Sequence, residues 1–205
     1  MKNSVDIVLV GAGPSSLSCA KILTESNIEH LIIDKMRRVG GRLGSVKESG
    51  YIYDIGFQVY NSSYVNTNSL INFNSLDFKY YKPGSMIYDE NRFYIISDPL
   101  RDLTKIFSTL FAKCSNIADK WKIFNLKRDL KNYTIKNDNS SDIETIAFLN
   151  SYGFSESFID KFFKPFLSGI FLEKKLNTSS KFFKYVFSNF NTGYACLPNE
   201  GMQVI

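Results

Sequence analysis

The sequence predicts an α/β fold, with a parallel strand–turn–helix–strand unit at the N-terminus followed by a mixed α+β region. Three observations carry this expectation. The apolar run Val5–Val10 stops at Gly11-Ala12-Gly13. An amphipathic stretch then runs from Pro14 to about Glu25, with Leu17, Ala20 and Leu23 spaced to face a sheet. A second apolar run, His30-Leu31-Ile32-Ile33, ends on Asp34.

The first run is short, β-branched and bounded by Gly, so it reads as a buried parallel strand. Gly11 allows the tight turn, and Gly13, without a Cβ, lets the backbone approach a pyrophosphate closely. Pro14 suits the first helical turn, where its missing N–H is no loss. Ser15 follows, and Ser16 stands where the dinucleotide fingerprint G-x-G-x-x-G has its third glycine. The helix N-terminus offers free N–H groups and a partial positive charge to a phosphate. Asp34 lies 23 residues after Gly11, near the roughly 20 expected of a ribose-binding acid. A carboxylate there can accept both ribose hydroxyls and disfavours a 2′-phosphate, which sets NADP aside. The plain alternatives are an ordinary acidic loop residue and a structural turn without a ligand. The order of elements is that of a Rossmann-like dinucleotide-binding unit, and up to Asp34 it fits NAD and FAD equally.

The next residues favour FAD by resemblance. Asp34-Lys35-Met36-Arg37-Arg38-Val39-Gly40-Gly41-Arg42 resembles the acidic, five-residue, Gly-Gly-Arg segment of the flavin amine oxidase, phytoene desaturase and protoporphyrinogen oxidase superfamily. Physically, a Gly pair lets the backbone fold against a cofactor, and the Arg42 guanidinium can make charge-assisted bonds to a phosphate. Gly50-Tyr51-Ile52-Tyr53-Asp54-Ile55-Gly56-Phe57-Gln58 resembles the family's Gly-aromatic-x-x-Asp-x-Gly segment beside the flavin. Lys164–Leu172 is similar to its Pro-Phe-x-x-Gly-x-Phe element, and Leu197–Ile205 to its Leu-Pro-x-x-Gly-Met-x-x-Ile element. The resemblance covers the chain, strongly to about Gln58 and loosely after it.

The fold it implies is a Rossmann-like FAD-binding domain with a parallel sheet, plus part of a mixed α+β substrate domain. The expected division is 1–75 for the FAD-binding portion, 76–196 for the partial substrate domain and 197–205 for a return to the first. Cofactor contacts are expected from Gly11, Gly13, Pro14, Ser15, Ser16, Asp34, Lys35, Gly40, Gly41, Arg42, Gly56, Phe57 and Gln58. The implied chemistry is removal of a hydride equivalent from a C–N or C–C bond onto flavin N5, the flavin carrying the redox step. No catalytic base is named; the family's supporting lysine belongs to a later half. Members are usually much longer, and Ile205 falls in the opening of the helix that the Gly-Met element starts. The chain is therefore expected to be the N-terminal half of a longer oxidoreductase, inactive by itself. Competing readings are a non-catalytic nucleotide-binding or interaction module and a desaturase or isomerase acting on a polyene. An NAD-dependent enzyme would leave Gly40-Gly41-Arg42 without a role.

Further along, Ser45–Lys47 and Tyr51–Tyr53 predict a hairpin around Glu48-Ser49-Gly50. Phe78–Tyr81, Ser85–Tyr88 and Arg92–Ile96 read as strands that begin the substrate domain. Asp98-Pro99 predicts a helix start, continued by Leu100, Leu103, Ile106, Phe107, Leu110 and Phe111. Another helix is predicted around Ile117–Leu130, with Trp121 and Phe124 on one face, and Asp142 is expected to cap one that stops near Gly153. Phenylalanine is dense from Phe154 to Phe190. Helix packing accounts for it most simply. An apolar wall for a bulky substrate such as a polyene or tetrapyrrole, and a surface meeting a later half, are the alternatives.

Composition narrows the class. The 205 residues are 44% hydrophobic, enough for a sizeable core. Three cysteines, Cys19, Cys114 and Cys196, form no C-x-x-C pair and argue for a reducing compartment. The single histidine, His30, reads as an exposed boundary residue, and no His or Cys cluster supports a metal site or a Ser-His-Asp triad. No spanning run of roughly 18 apolar residues is present, so the expected place is the cytoplasm, with membrane-surface contact left open. The net charge of +5 comes from scattered lysines, which fits a solvated surface rather than nucleic acid. The expected partner is a small-molecule substrate.

Overall fold

The computed structural model describes residues 4–56, 59–89, 91–97 and 116–205. The predicted helix from Asp98-Pro99 to Phe111, with Cys114, Phe57 and Gln58, lies outside the described residues. The chain divides into two compact units, residues 1–80 with 195–205, and residues 81–194.

In the first unit β1 (Ile7–Val10) and β2 (His30–Ile33) pair in parallel, Ile7 opposite His30 and Val10 opposite Ile33. The connecting helix α1 (Pro14–Glu25) packs on them and buries Ala20 and Leu23. The expectation of a buried β1 is corrected. Alternate residues Val8, Val10, Leu31 and Ile33 remain exposed, Val10 at 81%. The cause is geometric: side chains of a strand alternate between faces, and among the described residues α1 covers only one face of a two-stranded sheet. His30 opens β2 half-buried, its Nδ1 3.0 Å from the Ile28 carbonyl, rather than standing exposed.

β3 (Ser45–Glu48) and β4 (Tyr51–Asp54) form the predicted hairpin. Ser49 and Gly50 both take positive φ, 52° and 80°, as a two-residue primed turn requires. A three-stranded sheet places β9 (Ala195–Pro198) between β5 (Tyr60–Asn61) and β6 (Phe78–Tyr80), antiparallel to both. The units therefore divide at Tyr80 and Tyr194, not at 75 and 196, because β9 draws β6 into the first unit. The short helix α2 (Val65–Leu70) and a 3₁₀ turn, Phe73–Ser75, lie between β5 and β6. Tyr60, Phe78, Cys196 and Met202 form the core there, with Phe73 stacked on Phe78 at 4.4 Å. Burial pushes the Cys196 thiol up to about 11, so it stays an inert thiol at neutral pH.

The segment after β9 is stitched to the β3–β4 hairpin. Met202 N–H donates to Asp54 Oδ1 at 2.9 Å, and Gln203 N–H donates to Ser45 Oγ at 3.1 Å. Ser45 N–H donates in return to Gln203 Oε1. Gly201, at φ +87°, makes this approach possible: a Cβ there would lie 2.6 Å from Ser45 Oγ and 2.8 Å from Ile52 Cγ2. Gly201→Ala is expected to destabilise the first unit by about 1–3 kcal/mol, through overpacking added to the unfavourable φ. Denaturant unfolding checks this, and a loss under about 0.5 kcal/mol, the range of an ordinary surface change, would refute it.

The second unit opens with the hairpin β7 (Gly84–Asp89) and β8 (Arg92–Ser97). Helix α3 (Ile117–Asp129) starts at a capping box between Asn116 and Asp119. Asp119 is buried and also accepts the Ser155 N–H at 2.9 Å and the Ser155 hydroxyl at 2.6 Å, so its charge is well satisfied. Trp121 and Phe124 do share a face, stacked 5.8 Å apart, but it is the exposed one. Helix α4 (Thr145–Ser151) is preceded by Glu144, not capped by Asp142. Asp142 instead accepts bonds from Ser179, Ser180 and Lys181 at the start of α6 (Ser180–Thr192), where the Glu144–Ser179 bridge brings the two segments together. Between them Glu156–Phe158 and a π-helical turn, Ile159–Phe163, run into α5 (Lys164–Phe171). Phe154, Phe158, Phe163 and Phe183 are buried with Leu126, Leu149 and Leu167. Helix packing thus accounts for the most buried of the clustered phenylalanines. No helix among the described residues is long and apolar enough to cross a membrane.

Candidate functional site

The candidate site is built where β1, β2 and α1 meet. The chain leaves β1 at Gly11, whose N–H donates to the Ile33 carbonyl at 2.7 Å. Gly11 takes φ +97°, which an L side chain rarely adopts. Gly13, extended at φ −81° and ψ 174°, is the N-cap of α1, and Pro14 occupies the first turn. Gly13 has no side chain with which to cap, so the first N–H groups of α1, those of Ser15 and Ser16 included, face forward without a side-chain partner. A Cβ on Gly13 would meet nothing within 4 Å. The space before the helix terminus is open, and glycine keeps it open. This is the arrangement that suits an anion.

Asp34 follows β2 and turns back on that loop. Its Oδ2 accepts the Ala12 N–H at 2.6 Å and its Oδ1 accepts the Met36 N–H at 2.6 Å. The Ala12 bond, then the Met36 bond, holds the carboxyl below the usual carboxylate range, with Lys35 and Arg38 adding positive charge nearby. An ionised carboxylate offers about four lone-pair sites, so acceptor capacity remains for hydroxyl groups of a ligand. Asp34 is exposed and can be reached.

The second glycine turn is drawn onto the first. Gly40 N–H donates to the Ala12 carbonyl at 2.8 Å. A Cβ on Gly41 would lie 3.3 Å from Gly13 Cα, so the absence of a side chain at Gly41 is what lets the two glycine turns lie close together. Gly40 and Gly41 take φ of 99° and 54°. Arg42 lies in the 3₁₀ turn Gly41–Leu43 with its side chain exposed. Ile55 N–H donates to the Gly44 carbonyl at 2.8 Å, which fastens the end of β4, and so Gly56, to the same turn.

The structure therefore gathers Gly11, Gly13, Pro14, Asp34, Gly40 and Gly41 around one opening. Ser15 and Ser16 stand in the first turn of α1, Arg42 in the second glycine turn, and Gly56 one residue beyond the Ile55 anchor. Lys35 is exposed beside Asp34. Two residues that sequence reasoning passed over matter as much. Ala12 is buried and ties the loop to both Asp34 and Gly40. Arg38 donates to the Gly41 carbonyl at 3.2 Å, and its guanidinium covers Gly44 so closely that a Cβ there would overlap it. The spacing of Ala12 between two glycines was the available signal; nothing local distinguished Arg38 from its basic neighbours. Among the described residues no three or more His, Cys, Asp or Glu side chains are grouped to hold a metal ion.

The family model described as flavin containing amine oxidoreductase matches residues 16–205. A 4,4′-diapophytoene desaturase (4,4′-diapolycopene-forming) of Methylomonas sp is 28% identical over 104 residues, 48% of this chain and 20% of that protein. Amine oxidase [flavin-containing] A of Sus scrofa is 43% identical over 53 residues, 25% of this chain and 10% of that protein. A structure of putrescine oxidase bound to putrescine superposes with a TM-score of 0.65 at 18% identity, over 98% of this chain and 47% of that one. The chain spans about half of that oxidase and a smaller part of the two curated relatives.

Proposed function

The chain belongs to the flavin-containing amine oxidoreductase family, and on that premise we propose that it binds FAD through residues 11–16 and 34–42 and serves hydride removal from a small molecule. The observation that carries this reading is the open, glycine-kept space before α1, flanked by the Asp34 carboxylate. The N–H groups of the α1 terminus would hold the pyrophosphate, and Asp34 would accept the adenosine ribose hydroxyls. Gly40, Gly41 and Arg42 would lie along the phosphates, and Gly56, Phe57 and Gln58 would approach the flavin. When bound, the flavin supplies the two-electron acceptor for oxidation of a C–N or C–C bond. The chain's own residues bind and orient it. The partial likeness to a desaturase supports keeping C–C dehydrogenation beside amine oxidation in this reading.

The test is titration of the chain with FAD, FMN and NAD, followed by flavin fluorescence or calorimetry. FAD is expected to bind and NAD to leave FAD binding unaffected. Asp34→Ala should weaken FAD by about tenfold or more, the scale of losing hydrogen bonds to a charged group. FMN, which has no adenosine ribose, should bind the variant and the parent alike. Unchanged FAD affinity in the variant would remove the ribose assignment, and preference for NAD over FAD would overturn the flavin reading.

A further inference from the structure

The Gly40-Gly41 turn is held by a side chain as well as by its own backbone. Gly40 and Gly41 take φ of 99° and 54°, and glycine loses more conformational freedom on ordering than any other residue. Such a turn meets a ligand in its working shape only where something fixes it beforehand. Backbone bonds supply part of this. Gly40 N–H donates to the Ala12 carbonyl, Leu43 N–H to the Gly40 carbonyl at 2.9 Å, and Gly44 N–H to the Gly41 carbonyl at 3.2 Å. Arg38, half-buried, adds a charged bond. Its Nη1 donates to the Gly41 carbonyl at 3.2 Å, so that oxygen accepts from two donors and both of its lone pairs are engaged.

Gly44 shows that this guanidinium has a place made for it. Its φ of −64° and ψ of 146° are ordinary extended backbone, open to any residue. The turn therefore does not require glycine there. A Cβ on Gly44 would instead overlap Nη1, Cζ and Nη2 of Arg38. Gly44 is buried, and its missing side chain makes room for the guanidinium. The Gly44 carbonyl also accepts the Ile55 N–H at 2.8 Å, where β4 runs on towards Gly56. One planar group thus bears on the second glycine turn at Gly41 and on its junction with β4 at Gly44. A lysine, a point charge on a flexible stem, does not reproduce that shape.

We propose that Arg38 is a positioning residue for the cofactor: by holding the Gly41 carbonyl and resting on Gly44, it sets the second glycine turn in its receiving shape before FAD arrives. The role rests on the flavin reading and deepens it, since Arg38 acts through the turn rather than by touching FAD.

The test uses the full 205-residue chain and the variants Arg38→Ala, Arg38→Lys, Gly44→Ala and Arg38→Ala with Gly44→Ala. Gly44→Ala keeps the arginine but drives its guanidinium off the backbone. Hydrogen–deuterium exchange is read first, without FAD. The Leu43 and Gly44 N–H groups are expected to exchange about tenfold faster in every variant, while α1 and β2 exchange as in the parent. FAD titration by fluorescence is then expected to show about tenfold weaker binding in each single variant. The double variant should bind no more weakly than the singles, because both changes remove the same contact. Unaltered exchange at Leu43 and Gly44, unchanged FAD affinity, or losses that multiply in the double variant would each overturn the proposal. So would full affinity in Arg38→Lys, which would make charge alone sufficient. Faster exchange throughout the first unit would overturn it in favour of a purely structural role. A parent chain that does not bind FAD would overturn the flavin reading and the proposal together, whereas the other adverse outcomes overturn the proposal alone.

Discussion

Gly13→Val is expected to reduce FAD binding by about a hundredfold or more while costing the fold no more than about 1 kcal/mol, the scale of a poorer helix N-cap. Both halves of this result follow from the local geometry. Gly13 has an extended backbone, φ −81° and ψ 174°, which valine adopts readily. The added Cβ would meet nothing within 4 Å, so the new side chain leaves the backbone without a clash. The same side chain would fill the space before the α1 terminus and hold a pyrophosphate away from the N–H groups, where hydrogen-bond geometry fails within an ångström. Circular dichroism melting and FAD titration on one preparation separate the two effects. Retained FAD affinity would mean that the anion does not approach this turn. A large fall in melting temperature would mean that the position is structural.

Asp138→Ala is expected to lower the stability of the second unit by about 3–5 kcal/mol, the cost of removing one partner from a buried ion pair. The carboxylate accepts from Lys184, from the Tyr133 hydroxyl and from the Ser140 N–H, the last at 2.9 Å, and its own side chain is 10% exposed. Its loss would leave the Lys184 ammonium largely buried against two rings and the Ser140 hydroxyl. The bonds from Ser140, then those from Tyr133 and Lys184, hold the Asp138 carboxyl well below the usual range. The folded value is depressed, so this contribution is fully present above the ordinary carboxylate pKa of about 3.9 and is lost as pH falls below it. Urea midpoints measured from neutral pH downward should therefore fall faster for the parent than for Asp138→Asn below about pH 4. Parallel curves, or a change under about 1 kcal/mol at neutral pH, would show that the pair contributes nothing net.

The glycine turns and Asp34 were legible because their requirements are local. A strand that must turn sharply onto a helix needs positive φ at Gly11, and the rise of one helix and one strand sets where the acid returns. The Ser49-Gly50 hairpin was legible for the same reason, since a two-residue turn prescribes both φ values. Asp142 was misplaced because a short polar side chain can cap any helix terminus brought near it. The segment that came near was 37 residues away rather than two. Likewise the Phe78–Tyr80 strand was read correctly as a strand but assigned to the wrong unit, since its partner lies in residues 195–198.

By itself, then, the sequence determined the elements whose backbone conformation leaves few alternatives: the Gly11–Gly13 turn, the acid at the end of β2, the Gly-Gly-Arg turn and the hairpins. Only the tertiary structure decided that Gly41 packs on Gly13 and that Arg38 covers Gly44. It alone placed β9 between β5 and β6, and Lys184 opposite Asp138. The physical reason is that steric limits on φ and ψ act within a few residues. Pairing across tens of residues depends on loop closure and on surfaces whose individual side chains have many acceptable partners.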